Sequence, residues 1–186
     1  MLFGIDYGSK LAGTTVIASL GADDRIQLTC SEKKQNADDM ILNEIKSREP
    51  SLIGIDAPLS LPSVYLGKGT DYFYRACDRE LKAMSPLFLG GLTARAMKLK
   101  AQTEIPFIEV YPGALARQRS FSHLDYKKKE ANYIGMLDKL DWPFDYGTLP
   151  VNSHQLDAIL ALYIVWLFTN ERAQQVGDND EGLIYF

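Results

Sequence analysis

The sequence lacks the features that mark secreted and membrane proteins. Its two cysteines, Cys30 and Cys77, lie far apart and without metal-ligand spacing, which argues against a disulfide framework and favours reduced thiols in the cytoplasm. No apolar run reaches the length of a membrane span, because the most apolar stretch covers only residues 159–168. The N-terminus has no basic region before its first apolar run, so we expect no signal peptide and a cytoplasmic location.

An excess of positive charge is also missing. The 20 Lys and Arg residues are outnumbered by 24 Asp and Glu residues, which gives a net charge of −4 and a pI near 5.2. This balance argues against avid, non-specific binding of nucleic acid, which depends on clustered cations, but it is compatible with an enzyme that has a local basic groove. The apolar fraction of 46% is ordinary for a globular protein, and 186 residues suffice for one domain, residues 1–186, with its own core.

One five-residue sequence pattern occurs twice, and the predicted fold is built around its two copies. Residues 2–6 read Leu-Phe-Gly-Ile-Asp and residues 52–56 read Leu-Ile-Gly-Ile-Asp, a pattern typical of buried strands in a parallel sheet. If the two strands are neighbours in register, Asp6 and Asp56 lie about 5 Å apart. Because like charges that close repel, one carboxyl must be protonated or a cation must lie between them. We therefore predict half of a divalent-metal site; alternatively, each aspartate merely ends its strand in a turn.

The remaining pattern predicts a mixed α/β domain. A meander of three strands precedes a helix, and a crossover through that helix lays the fourth strand parallel to the first. Residues 58–104 are predicted to form a helical insertion that acts as a wall or lid beside the proposed site. The predicted strands cover residues 2–6, 13–18, 25–30, 52–56, 105–110 and 181–186; the predicted helices cover residues 37–48, 72–84, 92–102, about 126–140 and from 152 onward; and a loop is predicted over residues 142–150.

Two further carboxylates lie near the ends of predicted elements. Asp157 lies in the first turns of the last helix, and Glu109 closes a strand. Carboxylate oxygens are the ligands that Mg²⁺ and Mn²⁺ prefer, so we predict that Asp6, Asp56 and Asp157 hold one or two such ions. Glu109 is the fourth catalytic candidate, as a ligand or a proton carrier. Alternatively, the helix dipole favours an acid at position 157 in any case, and Glu109 is solvated.

Cations near these acids are candidates for binding substrate. Arg75 and Arg79 lie four residues apart on one predicted helical face, with Asp78 between them, and the guanidinium fork suits phosphate. The alternative is an ion-pair cluster within that helix. Lys10 follows the first strand closely enough to contact phosphate, or it is a surface lysine.

For three other features we prefer an interpretation without a functional role. His154 precedes Asp157, and we expect it to be solvated in the first helical turn; the alternative is that it reaches the proposed site. The rings of residues 72–74 are expected to pack in the core rather than to stack on bases. Residues 127–129, all lysine, are expected to form a solvated helix face.

The order β-β-β-α-β-α, with an aspartate on the first strand, the fourth strand and the last helix, resembles the ribonuclease H-like superfamily. More narrowly, the chain resembles a family of predicted nucleases with an RNase H-like fold that is formally a domain of unknown function. The matching phrases cover nearly the whole chain and are Gly4-Ile5-Asp6-Tyr7-Gly8, Ile55-Asp56-Ala57-Pro58-Leu59, Arg75-Ala76-Cys77-Asp78-Arg79-Glu80-Leu81, Glu109-Val110-Tyr111-Pro112, Asp157-Ala158 and Glu181-Gly182-Leu183-Ile184-Tyr185.

The resemblance implies a mixed five-stranded sheet flanked by helices, with the helical insertion after the fourth strand. It also implies a metal-dependent nuclease that acts on DNA or RNA. One rival is a phosphate-binding ATPase of the actin and sugar-kinase type, whose first phosphate loop residues 6–10 resemble. Such proteins use two lobes, and 186 residues leave room for one. Another rival is a catalytically silent RNase H-like module that binds nucleic acid or a protein partner.

Overall fold

The computed structural model describes residues 1–121, 128 and 131–186. In this part of the chain, the elements follow in the order β1 (Leu2–Asp6), β2 (Val16–Leu20), β3 (Arg25–Cys30), α1 (Ala37–Arg48), β4 (Leu52–Asp56), α2 (Ala76–Leu81), α3 (Pro86–Leu89), α4 (Gly91–Ala101), β5 (Phe107–Val110), α5 (Pro112–Gln118), α6 (Tyr133–Leu137), β6 (Asp145–Tyr146), α7 (Ser153–Thr169), β7 (Gln175–Asp178) and β8 (Gly182–Tyr185). None of the helices that these residues form has both the length and the apolar character needed to cross a membrane.

The strands form one sheet in the order β6-β3-β2-β1-β4-β5-β8-β7. Strand β2 is antiparallel to both of its neighbours, whereas β1, β4 and β5 run parallel to one another. The five central strands and the helix between β3 and β4 thus confirm the predicted RNase H-like α/β class. The sheet of the described residues is larger than the predicted five strands, because β6 extends one edge and the β7–β8 hairpin extends the other.

The two faces of the sheet are covered by different helices, as the alternation of side chains along a strand requires. Phe3 and Ile5 point to the face that packs against α1 and α4. The intervening Gly4 lies on the other face, against α7. By the same alternation, Asp6 at the end of β1 lies on the face that α7 covers.

Helix α7 is the central element of its layer. Asn152 caps its start by accepting a hydrogen bond from the backbone N–H of Gln155 at 3.0 Å, as its N-cap residue type predicts. Ten consecutive residues, 156–165, are buried, because the sheet covers one side of the helix while α5 and α6 pack against it as well. Gly4 and Gly54 let the helix backbone approach the sheet closely: an added Cβ at Gly4 would lie 2.0 Å from the backbone nitrogen of Leu162.

The insertion contains shorter helices than predicted. Instead of a helix over residues 72–84, α2 covers Ala76–Leu81 alone. Its start is delayed because the Asp71 carboxylate accepts hydrogen bonds from the backbone N–H groups of Phe73 and Tyr74, which is a turn that competes with helix formation. Its end is fixed by Lys82, which has a left-handed backbone with φ 53°. The prediction that the rings of residues 72–74 pack in the core is wrong for Tyr72 and Phe73, which are exposed.

Three further differences concern short elements. Residues 112–118 form helix α5, which we had not predicted although proline suits the first turn of a helix. The predicted loop over residues 142–150 contains the two-residue strand β6, and the C-terminal strand pairs with an unpredicted partner, β7. Of the helix predicted over residues 126–140, the described residues form α6; Lys127 and Lys129 lie outside the described residues.

Candidate functional site

Asp6 and Asp56 lie side by side at the carboxyl edge of the sheet. Strands β1 and β4 are parallel neighbours, and their register pairs Leu2 with Leu52 and continues to Asp6 opposite Asp56. The prediction that the two repeated phrases are adjacent strands in register is therefore confirmed. Both aspartates line a cavity of about 260 Å³ between the sheet edge and the insertion, so their carboxyl groups can be reached from solvent.

Helix α7 places His154 beside Asp6. Its backbone crosses β1 at Gly4, where Ala158 and Leu162 make the close approach. One turn earlier, the Nδ1 atom of His154 lies 2.8 Å from an Oδ atom of Asp6. His154 is half exposed in the first turn of α7, as predicted, and its ring also contacts the first carboxylate of the site, which was the alternative. The i, i+4 spacing of residues 154, 158 and 162 is the signal that would have placed it over β1.

The same helical geometry places Asp157 over the neighbouring strand. Ala161 and Val165 approach Gly54 of β4, and Asp157 precedes Ala161 by one turn on the same face of α7. Asp56 follows Gly54 by two residues in the direction of the helix start, as Asp6 follows Gly4. Asp157 therefore belongs to the face of α7 that lies along β4, at the end of β4 that carries Asp56. In the same way, His154 belongs to the face of α7 that lies along β1. It is buried in this position and does not line the cavity.

The carboxylates offer the hard oxygen ligands that Mg²⁺ and Mn²⁺ prefer. Asp6, Asp56 and Asp157 all belong to the layer between the sheet and α7, so the chemistry of the donor set fits a divalent metal ion. As placed, no three His, Cys, Asp or Glu side chains among the described residues lie close enough together to hold one.

Glu109, the fourth predicted carboxylate, lies on the opposite face of the sheet. The register pairs it with Ile55 rather than with Asp56, so its side chain points toward the face of α1 and α4. It is buried, which excludes the solvated alternative. Its two oxygens accept hydrogen bonds from Arg75 at 2.6 and 2.7 Å, and one also accepts the backbone N–H of Leu59 at 2.8 Å. Glu109 reaches the wall of the cavity as part of this ion pair.

Arg75 has no N–H group left for a substrate phosphate. Besides its two bonds to Glu109, it donates two hydrogen bonds to Asp78 and one to Ser60, and its side chain is fully buried. Burial alone would lower the pKa of Arg75, but the hydrogen bonds to the two carboxylates raise that pKa, so the guanidinium stays charged. The ion-pair alternative thus describes Arg75 and Asp78, and the network ties the insertion to strand β5.

Arg79 and Lys10 differ from Arg75 because both are exposed. The Arg79 side chain forms an ion pair with Asp71 and lies over the ring of Tyr74, 4.6 Å from the ring centroid. Lys10 lines a separate cavity of about 90 Å³ that also includes Asp38. Neither cation lines the cavity of the aspartate pair.

A second network, which we had not predicted, fixes the loop that follows Asp6. The Tyr7 hydroxyl donates a hydrogen bond of 2.6 Å to Asp38 of α1, and Arg95 of α4 donates to both Asp38 oxygens and to the carbonyl of Gly8. Burial and the Asp38 carboxylate raise the pKa of Tyr7, so its hydroxyl stays protonated. The three residues lie far apart in the sequence and match no recognised motif. This network fixes the backbone that follows Asp6, and it lies on the face of the sheet opposite α7.

Comparisons with known proteins identify no sequence family. The sequence matches no protein-family model and no curated protein. Among solved structures, the chain is similar to T. thermophilus RuvC in complex with Holliday junction substrate, over 92% of this chain and 96% of that chain, with a TM-score of 0.49 and 14% sequence identity. At this level of similarity we draw no functional conclusion from the match. The fold that the ribonuclease H-like resemblance implies is confirmed by the strand order of the sheet itself.

Proposed function

We propose that this chain is a divalent-metal-dependent nuclease that hydrolyses phosphodiester bonds of DNA or RNA. The observation that carries the proposal is the register of β1 and β4, which sets Asp6 beside Asp56 at an open sheet edge. Two carboxylates held one strand spacing apart repel each other unless a proton or a cation compensates their charge. We infer that a cation bound in the adjoining cavity supplies this compensation.

In this proposal, Asp6, Asp56 and Asp157 hold one or two Mg²⁺ or Mn²⁺ ions. A bound divalent ion supplies Lewis acidity, which makes water a nucleophile at neutral pH and stabilises the leaving oxygen of a phosphodiester. His154 orients the Asp6 carboxylate through the 2.8 Å contact of its Nδ1 atom.

The surrounding residues have separate roles. Arg75, Asp78 and Glu109 position the insertion that forms the far wall of the cavity. Arg79 and Lys10 are the exposed cations that we propose as phosphate contacts on the substrate flanks. Glu109 acts as a positioning residue through Arg75 rather than as a metal ligand.

A cleavage assay with matched variants tests the proposal. Labelled single-stranded and duplex DNA and RNA are incubated with the protein, first in EDTA and then with increasing Mg²⁺ or Mn²⁺. We expect cleavage only with metal, and we expect Asp6→Asn and Asp56→Asn to abolish it because each removes a charged ligand with little change of shape. Asp141→Asn is the control, since this carboxylate is 80% exposed and pairs only at the surface with Arg172.

Three outcomes contradict the proposal. Cleavage that persists in Asp6→Asn would show that the aspartate pair is not the reactive centre. No cleavage by the folded wild-type protein on any of the four substrates would favour the silent binding module, and stabilisation by ATP in a thermal-shift assay would favour the kinase-like alternative.

A further inference from the structure

An exposed group of aromatic rings lies on the insertion. Among the described residues, eleven large apolar side chains are exposed, and six of them fall within residues 65–88. Scattered exposed apolar residues are normal, whereas a concentration of them marks a binding surface. We use the name ring cluster for Tyr65, Tyr72, Phe73, Tyr74 and Phe88. The first two rings contact each other at a centroid distance of 6.1 Å, and the ring of Phe88 contacts those of Phe73 and Tyr74 at 5.6 and 5.9 Å.

The backbone beneath the ring cluster is fixed although the rings are exposed. Asp71 accepts hydrogen bonds from the N–H groups of Phe73 and Tyr74 at 2.9 and 3.0 Å. The hydroxyl of Ser85, the N-cap residue of α3, donates to the carbonyl of Phe73, which ties the first part of the cluster to the helix that carries Phe88. Because the backbone of Phe73 and Tyr74 is already fixed by these hydrogen bonds, less of the chain has to become ordered when a ligand binds.

The ring cluster and part of the cavity wall belong to the same segment of the chain. Leu89 lines that cavity, and its neighbour Phe88 on α3 is 64% exposed. Met84 both lines the cavity and is exposed to solvent. A chain-like ligand with one unit at Asp6 and Asp56 would therefore lie beside the insertion that carries the rings.

Two exposed cations of the insertion, Arg79 and Lys82, are available to a polyanion. Arg79 lies at the ring cluster itself, over Tyr74, and Lys82 is exposed at the end of α2. Apolar rings with cations beside them are the combination that binds the bases and the backbone of a single strand.

We propose that the ring cluster binds unpaired bases of a single-stranded nucleic acid whose phosphate lies at Asp6 and Asp56. The inference rests on the proposed function, since it names the substrate of that site. Bases of an intact duplex stack on each other and present only their edges, whereas unpaired bases offer their faces to aromatic side chains. Stacking does not distinguish the sugar, so single-stranded DNA and single-stranded RNA are both ligands.

Binding measured without metal tests this inference separately from cleavage. Fluorescence anisotropy in EDTA compares labelled oligo-dT, oligo-U and a blunt duplex, each of about 20 nucleotides, which exceeds the site size of most single-strand binding folds. We expect tighter binding of both single strands than of the duplex. We expect Tyr72→Ala and Phe88→Ala each to weaken single-strand binding about fivefold or more, because each removes one stacking partner.

Two further variants separate stacking from general apolar contact. Phe88→Leu keeps an apolar side chain and should weaken binding as Phe88→Ala does, whereas Phe88→Trp should retain it. Ile134→Ala is the control, since Ile134 is comparably exposed on α6 and should bind like the wild type. Circular dichroism verifies that each variant is folded.

The inference is overturned if the wild type binds no single strand, binds the duplex at least as tightly, or is unaffected by Phe88→Leu. Metal-dependent cleavage of duplex substrates with unchanged ring variants would leave the proposed function intact and remove the stacking surface. Ring-dependent binding without any metal-dependent cleavage would do the reverse.

Discussion

Replacing Gly4 by alanine should separate the sheet from its central helix. The added Cβ would lie 2.0 Å from the Leu162 nitrogen and 2.7 Å from the Ala158 carbonyl oxygen, whereas ordinary contacts begin at 3.4 Å. These are backbone atoms of α7, so no side chain can turn aside, and the helix must move by about 1 Å or more. Overpacking costs about 1–3 kcal/mol when side chains can adjust, so we expect about 3 kcal/mol or more here.

Alanine substitutions at two other glycines provide comparisons with Gly4→Ala. At Gly54 the added Cβ meets the side chains of Val165 and Val110 at 2.3 and 3.0 Å, so we expect a loss of about 1–3 kcal/mol. At Gly91, the first residue of α4, nothing lies within 4 Å, and alanine should be neutral or stabilising by up to about 1 kcal/mol.

Thermal unfolding followed by circular dichroism measures the series. A loss of about 3 kcal/mol corresponds to a Tm about 6–12 °C lower for a chain of this size. Because α7 carries His154 and Asp157, Gly4→Ala should also reduce cleavage at temperatures where the variant is folded. If Gly4→Ala unfolds at the same temperature as Gly91→Ala, the close approach of α7 to β1 is refuted.

Three further predictions concern the polar networks. Arg75→Met leaves two buried carboxylates without their cation and should cost about 3–5 kcal/mol in urea unfolding, while Arg79→Met at the surface should leave the midpoint near that of the wild type. Tyr7→Phe removes one hydrogen bond to Asp38 and should cost about 1 kcal/mol, read as a Tm lower by about 2–4 °C. Burial opposes ionisation of Asp38, but the hydrogen bond from Arg95 prevails and lowers its pKa. The stabilisation by Asp38 is therefore present above about pH 4 and is lost as the pH falls through the lowered pKa. Melting curves below pH 4 should accordingly decline more steeply for the wild type than for Asp38→Asn.

The elements that position the aspartates were predictable because their pattern is local. The repeated Gly-Ile-Asp phrase identified two buried strands, and the helix between them implied the parallel crossover that sets Asp6 beside Asp56. Asn152 marked the start of α7 for the same reason, since an N-cap depends on neighbouring residues.

The parts that depend on long-range contacts were not predictable in this way. The side of the sheet on which Glu109 lies depends on a one-residue offset between β4 and β5, and such an offset turns a side chain to the other face. Arg75 pairs with this distant carboxylate as well as with its helical neighbour Asp78. The contact of exposed His154 with Asp6 was only the alternative to a solvated side chain, since residue type alone does not show which residues of α7 lie over β1.

Anomalous scattering from a crystal soaked in Mn²⁺ tests the shared cation most directly. The account predicts a manganese peak in contact with carboxylate oxygens of Asp6, Asp56 and Asp157. The same soak of Asp6→Asn crystals should lose or weaken that peak, while Asp141→Asn crystals keep it. A peak bound elsewhere, or three carboxylates that stay apart while Mn²⁺ occupies other sites, would contradict the proposed metal centre.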